Sequence, residues 1–211
     1  MIWLTDLLDD KQLHYYLSQF VEDNFHHCPP PQYGAVVKNC SVMTPEYMRS
    51  DQYKTIAHQC WKDISLLQQD YLLKNASQPY FVWYNEGQYY DWHRDNFPCG
   101  GVNSDISMSI FLNDDYEGGE LLIKVGDAVT EHKPKAGTVV LYDTGLWHCI
   151  KPVTKGSRKV IVGWHESLIQ NSFIRRELIA MGRELSKDEM DWNALKQIHV
   201  NLIREYGRPI G

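Results

Sequence analysis

The amino-acid sequence predicts an α+β chain, mainly β, with an antiparallel core between helical flanks. Three observations carry this. From Tyr80 to His165 the apolar residues fall in short runs, rich in β-branched and aromatic types and split by Gly, Asn, Asp and Pro clusters. Within one run, Ile106, Met108 and Ile110 alternate with Ser107 and Ser109, the pattern of a half-buried antiparallel strand. On either side of this region the apolar residues recur instead at helical spacing. The expected organisation is one domain in three parts: a helical layer with a short strand or two over 1–79, a β core over 80–166 and a helical extension over 167–211.

The first helix is expected around Leu13, Tyr16, Leu17, Phe20 and Val21, capped by Asp9-Asp10 and ended by Cys28-Pro29-Pro30-Pro31. Tyr33–Cys40 reads as a short strand. Tyr53, Ile56, Ala57, Cys60, Ile64 and Leu67 form one face of a second, longer helix from about Ser50 to Leu73. The core strands are expected at about 80–84, 88–94, 105–113, 120–126, 128–133, 138–143, 147–151 and 158–165, with a hairpin turn at Gly126-Asp127. Glu117-Gly118-Gly119-Glu120 reads as a tight turn whose glycines admit positive φ. After Glu166, Ile169, Phe173, Ile174 and Leu178 resume a helical period. Ser186-Lys187-Asp188-Glu189 has capping-box form ahead of Trp192, Leu195 and Ile198.

Composition narrows the function. A net charge of −6 without a long Lys/Arg run speaks against a nucleic-acid partner. No stretch approaches the roughly 20 apolar residues that a membrane span requires, and the first residues do not form a signal peptide. The five cysteines are scattered, without a Cys-x-x-Cys, so neither a disulfide framework nor a zinc ribbon fits. Reduced thiols in a cytoplasmic chain are the expectation.

Chemistry concentrates in Pro79–Asn96, PYFVWYNEGQYYDWHRDN. His93 and Asp95 stand two apart, and on a strand both would face one side and address a single ion. His148 lies 53 residues beyond Asp95, far enough for several strands to bring it back. Two imidazoles and one carboxylate make the facial arrangement of non-haem Fe(II) sites, with positions left open. Arg158 opens RKVIVGWH, where Arg158, Val160, Val162 and Trp164 share a face. A guanidinium on an otherwise apolar inward face calls for an anion it can grip through two donors. Trp164 either lines the same pocket or packs in the core. Trp92, Arg94, Asn96 and Phe97 flank the ligands, and Pro98–Ser104, with Gly100-Gly101, reads as a mobile flap.

Tyr84, Tyr90, His93-x-Asp95, Gly118-Gly119-Glu120-Leu121, Ala136-Gly137, His148, Lys151–Gly156, Arg158 and Trp164 together resemble the iron- and 2-oxoglutarate-dependent dioxygenases, in the prolyl-4-hydroxylase-like, PKHD-type branch. The resemblance is most specific over 80–166 and extends into Asn201-Leu202-Ile203-Arg204-Glu205. It implies a double-stranded β-helix, or jelly-roll, with Fe(II) held by His93, Asp95 and His148 in its mouth. It implies 2-oxoglutarate as co-substrate, its far carboxylate on Arg158 with hydrogen bonds from Thr154 and Tyr84, and Tyr90 and Trp164 beside it; ascorbate is a candidate reductant. Dioxygen and a peptide or small-molecule substrate follow, with peptidyl proline or lysine hydroxylated as succinate and CO2 are released. The carboxylate at 95 favours hydroxylation over halogenation, and the C-terminal helices suggest a homodimer. Left open are a free amino acid or metabolite as substrate, a zinc or manganese hydrolase or isomerase on a cupin-like barrel, and a non-catalytic jelly-roll.

Overall fold

Helix α1 (Asp10–Leu17) begins where the Asp9 carboxylate accepts from the Gln12 amide while the Gln12 side chain accepts from the Asp9 amide, a reciprocal cap. The structure, a computed structural model, describes residues 1–28 and 37–206. Before α1 lies strand β1 (Ile2–Asp6), and after it β2 (Phe25–Cys28) and β3 (Lys38–Met43). Helices α2 (Pro45–Met48), α3 (Asp51–Ile64) and α4 (Gln68–Tyr71) follow, capped in turn by Thr44, Ser50 and, at the end of α4, a left-handed Leu72.

The remaining strands are β4 (Leu73–Ala76), β5 (Tyr80–Tyr84), β6 (Tyr89–His93), β7 (Ile106–Phe111), β8 (Glu117–Gly118), β9 (Leu121–Val125) and β10 (Ala128–His132). After these come β11 (Thr138–Asp143), β12 (Trp147–Ile150), β13 (Val153–Lys155) and β14 (Arg158–Ser167), then helices α5 (Ser172–Leu185) and α6 (Trp192–Tyr206). The strands pair antiparallel in the order β1-β11-β7-β14-β5-β3-β6-β12-β9-β10, with β2 on β3, β4 on β14 and a separate β13-β8 pair. This is a curled antiparallel sheet with flanking helices, the jelly-roll type of fold that the sequence predicts.

Two apolar clusters explain the curl. Alternate residues of the central strands, Phe81, Ile106, Ile110, Val139, Leu141 and Ile161, join Tyr16, Tyr53, Ile56 and Ile179 from the helices in one core. Their neighbours Val82, Tyr84, Phe111, Val140, Tyr142 and Val160 face the other way and meet Leu121, Ile123 and Ile150 from the opposite arm. Each buried aliphatic side chain contributes on the order of 1.5–3 kcal/mol, and the sheet is covered on both sides.

Several local expectations change. Residues 1–79 carry more strand than the short strand or two expected there: β1 and β4, as well as β3, hydrogen-bond into the main sheet. Strand β3 joins the two arms, because Lys38 and Asn39 pair with β6 while Ser41 and Val42 pair with β5. The first helix stops at Leu17 with Ser18 as its cap, ahead of the prolines; Pro29–Pro31 and the 33–36 part of the expected strand lie outside the described residues. Ser186 caps the end of α5, and Asp191 starts α6 by accepting from the Asn193 and Ala194 amides. Among the described residues no helix is long and apolar enough to cross a membrane, and no disulfide forms.

Candidate metal centre and anion pocket

His93 and His148 sit directly opposite one another on the antiparallel pair β6–β12. Between this pair and the next, Tyr90–Ile150, β6 carries one residue more than β12, a bulge. The bulge turns Tyr90 and His93 to the same side, where their rings stack at 3.6 Å. Asp95 lies two residues past the end of β6, so it is not a strand neighbour of His93 as its spacing suggests. It still converges: Asp95 Oδ1 is 3.6 Å from His93 Nε2 and 3.7 Å from His148 Nε2. One ligand atom from each of the three lies within 4.8 Å of the others.

What surrounds the three fixes their roles. His93 Nδ1 is 2.7 Å from the Asp91 carbonyl and His148 Nδ1 is 3.0 Å from the Leu146 carbonyl. A carbonyl only accepts, so each Nδ1 carries the proton and each Nε2 lone pair faces inward. Asp95 Oδ2 accepts from Ser107 Oγ and from the Trp164 indole, both at 2.8 Å, leaving Oδ1 free. Burial pushes the Asp95 carboxyl up, but the two neighbouring imidazoles and the Trp164 and Ser107 donors outweigh it and hold the pKa down to about 2. Burial lowers His148, and His93 beside it adds to this. A charged carboxylate and inward-facing imidazole lone pairs are the protonation states that a divalent cation requires. The residues present fit such an ion.

The three ligands line a cavity of about 350 Å³ whose far wall belongs to the other arm of the sheet. There Arg158, at 1% exposure, lies 4.9 Å from the Phe111 ring and 5.2 Å from the Tyr84 ring. Its Nε and Nη2 are buried without an acceptor. A buried guanidinium left unsatisfied is strongly unfavourable, so this side chain fits an anion such as one carboxylate of 2-oxoglutarate. Gly119 makes room for it, at φ +65°: a Cβ there would stand 3.2 Å from Arg158 Cδ and 3.0 Å from Tyr116 and Val153. At Gly118, φ +71°, a Cβ would lie 2.3 Å from the Pro152 carbonyl, so both glycines take the positive φ expected of them, but Glu117–Gly118 forms β8 and pairs with β13 instead of making the expected tight turn.

Of the residues expected at the site, His93, Asp95, His148, Arg158, Tyr84, Tyr90 and Trp164 all line the cavity. Thr154 does not: on β13 its side chain is exposed, and Val153 is the residue that turns inward. An odd-even offset after Pro152 separates the two outcomes, and nothing local in the sequence sets it. The Pro98–Ser104 loop is seated rather than free at Gly100, where a Cβ would lie 2.6 Å from Ser77 Cβ and 3.1 Å from Trp164. Sequence reasoning missed Ser107, which holds Asp95, along with Phe111 under Arg158 and Tyr142, whose ring meets His148 edge-on at 5.0 Å.

Comparison with known proteins agrees with this geometry. The model of the 2OG-Fe(II) oxygenase superfamily matches residues 80–166. A PKHD-type hydroxylase of Acaryochloris marina is 34% identical over 153 residues, covering 64% of this chain and 68% of that protein. Among solved structures, an oxidoreductase of the 2OG-Fe(II) oxygenase family from Burkholderia pseudomallei superposes with a TM-score of 0.65 at 13% identity, over 78% of this chain and 84% of that one. A Pseudomonas putida prolyl-4-hydroxylase gives 0.56 at 17% identity, over 79% and 92%; at such identities the two structures speak for the fold. Sequence kinship and the shared fold make this chain a member of the PKHD-type hydroxylases, oxidoreductases of the 2OG-Fe(II) oxygenase superfamily.

Proposed function

We propose that this chain hydroxylates an unactivated C–H bond of a prolyl or lysyl residue in a peptide, using Fe(II), 2-oxoglutarate and dioxygen and releasing succinate and CO2. The single observation that carries the reading is the buried Arg158 guanidinium, whose Nε and Nη2 lack an acceptor among the described residues, in the same cavity as the His93–Asp95–His148 cluster. A hydrolytic zinc or manganese site has no evident need for it. The prolyl target draws on the P. putida prolyl-4-hydroxylase among the structural relatives.

Iron with its co-substrate supplies the oxidising chemistry when bound. The chain's own residues do the rest. Ser107 and Trp164 tie down Asp95 Oδ2 so that Oδ1 is presented in one orientation. The Asp91 and Leu146 carbonyls hold the two imidazole planes. Arg158, braced on Tyr84 and Phe111, would grip the far carboxylate and thereby orient the co-substrate. With Asp95 as a ligand, the position that a halide would need would be filled, which favours hydroxylation over halogenation.

Ascorbate as reductant, a cytoplasmic location and a homodimer through α5 and α6 belong to the same proposal. Succinate release that requires both Fe(II) and 2-oxoglutarate tests the chemistry. A screen of peptides and free amino acids for a gain of one oxygen by mass spectrometry then tests the substrate. Turnover without either additive overturns the reading, and a purely monomeric species in sedimentation removes the dimer.

A further inference from the structure

The cavity wall holds four permanently or normally charged side chains among the described residues: Lys38, Arg94, Asp95 and Arg158. Asp95 faces the metal position, and Arg158 is the buried anchor. A divalent ion and Arg158 together balance Asp95 and the two carboxylates of 2-oxoglutarate, so the loaded centre is neutral. Lys38 and Arg94 remain as two positive charges without counterparts, in a chain whose net charge is −6.

Neither is neutralised by a neighbour. Lys38 Nζ lies 5.5 Å from the centroid of Tyr90, whose ring in turn stacks on His93. Arg94, placed between the two ligands His93 and Asp95, has its guanidinium 5.1 Å from the centroid of Trp147, next to His148. No ion pair joins either cation to a carboxylate among the described residues, whereas Lys54, Lys74, Lys135, Lys151, Lys155 and Lys187 each have one. Lys38 is further held on β3 by its register with Tyr90, so its place beside the ligand layer is set by the sheet.

Resting on the dioxygenase reading above, we infer that the substrate carries a carboxylate close to the carbon that is hydroxylated, and that Lys38 and Arg94 at the mouth bind it. An aromatic ring beneath each cation holds it in place while leaving its outer side open to an anion. The carboxylate has two possible sources, an Asp or Glu beside the target residue in a peptide, or the α-carboxylate of a free amino acid. Both present the same group to the same two cations.

The test uses the whole 211-residue chain with Mn(II) and 2-oxoglutarate under nitrogen, so that binding is read without turnover. It is exposed to end-blocked peptides with a central proline or lysine and randomised flanks, and the bound fraction is sequenced by mass spectrometry. Acidic flanks are expected to be enriched, with affinity falling as salt is raised. Lys38→Met and Arg94→Gln should each weaken the enriched peptide about 2- to 5-fold, as expected of partly exposed charge pairs. Lys54→Met, which makes the same charge change on α3, should not. In a parallel arm, free L-proline and L-lysine compete against their amides; selective competition by the free acids assigns the α-carboxylate as the source. No enrichment together with no preference for the free acids, or enrichment of neutral or basic flanks, overturns the inference. Absence of 2-oxoglutarate binding to the Mn(II)-loaded protein is a separate result, and it overturns the underlying reading instead.

Discussion

The Trp164 indole donates to Oδ2 of Asp95 at 2.8 Å, and Trp164 lies on the same strand, six residues on, as Arg158. Strand β14 therefore carries both the anion anchor and a group that orients the metal-ligating carboxylate. Changes along this one strand should separate the two functions.

Trp164→Phe keeps the ring but removes the donor. Asp95 Oδ2 then keeps Ser107 but loses one of its two donors, and metal affinity should fall about 10-fold, the lower end of what loss of a ligand-orienting partner produces. Anaerobic titration with Mn(II) or Fe(II) checks this, and affinity equal to that of the unaltered chain contradicts the role given to Trp164.

Asp95→Ala removes the only carboxylate of the metal cluster. Hydroxylation and 2-oxoglutarate turnover should drop to background while the fold persists, as judged by circular dichroism. Undiminished succinate release would reassign the third ligand.

Arg158→Met separates binding from stability. In the unaltered protein, 2-oxoglutarate at 100 times its dissociation constant should add about 2.7 kcal/mol to stability. The variant should gain almost nothing at that concentration, yet without ligand it should be no less stable, because a buried uncompensated charge has gone. Thermal unfolding with and without the co-substrate reads both effects; an equal upward shift in the variant sinks the anchor assignment.

His165 predicts a pH dependence. It is 2% exposed, its Nε2 has no partner, and burial lowers its pKa from 6.5 to about 4. Below pH 6.5 the unfolded chain takes up a proton that the folded chain refuses until about pH 4. Its stabilising contribution is thus complete above pH 6.5 and is lost as the pH falls towards 4, by about 3 kcal/mol in all. Denaturant unfolding of His165→Leu should show a correspondingly shallower decline over this window than the unaltered protein. Parallel declines would show that the histidine does not titrate as described.

Much of the centre was legible in the residue string. His93, Asp95, His148 and Arg158 could be picked out because so few residue types bind divalent metals or grip carboxylates, and because their spacing suits short antiparallel strands. The helical and β-rich stretches followed from periodicity in the same way. Ser107 and Ser109 mark where that logic stops. A period of two shows that they oppose Ile106, Met108 and Ile110, and solvent was the natural place for them. In the structure every residue of β7 is buried, the serines face the cavity, and Ser107 holds Asp95. The bulge that aims Tyr90, the inward turn of Val153 in place of Thr154, and the use of β3 to join the two arms belong to the same class. Local spacing dictates which side chains share a face of a strand. Whether that face meets water, helices or the facing arm depends on contacts between residues far apart in the chain, and only the tertiary structure decides it.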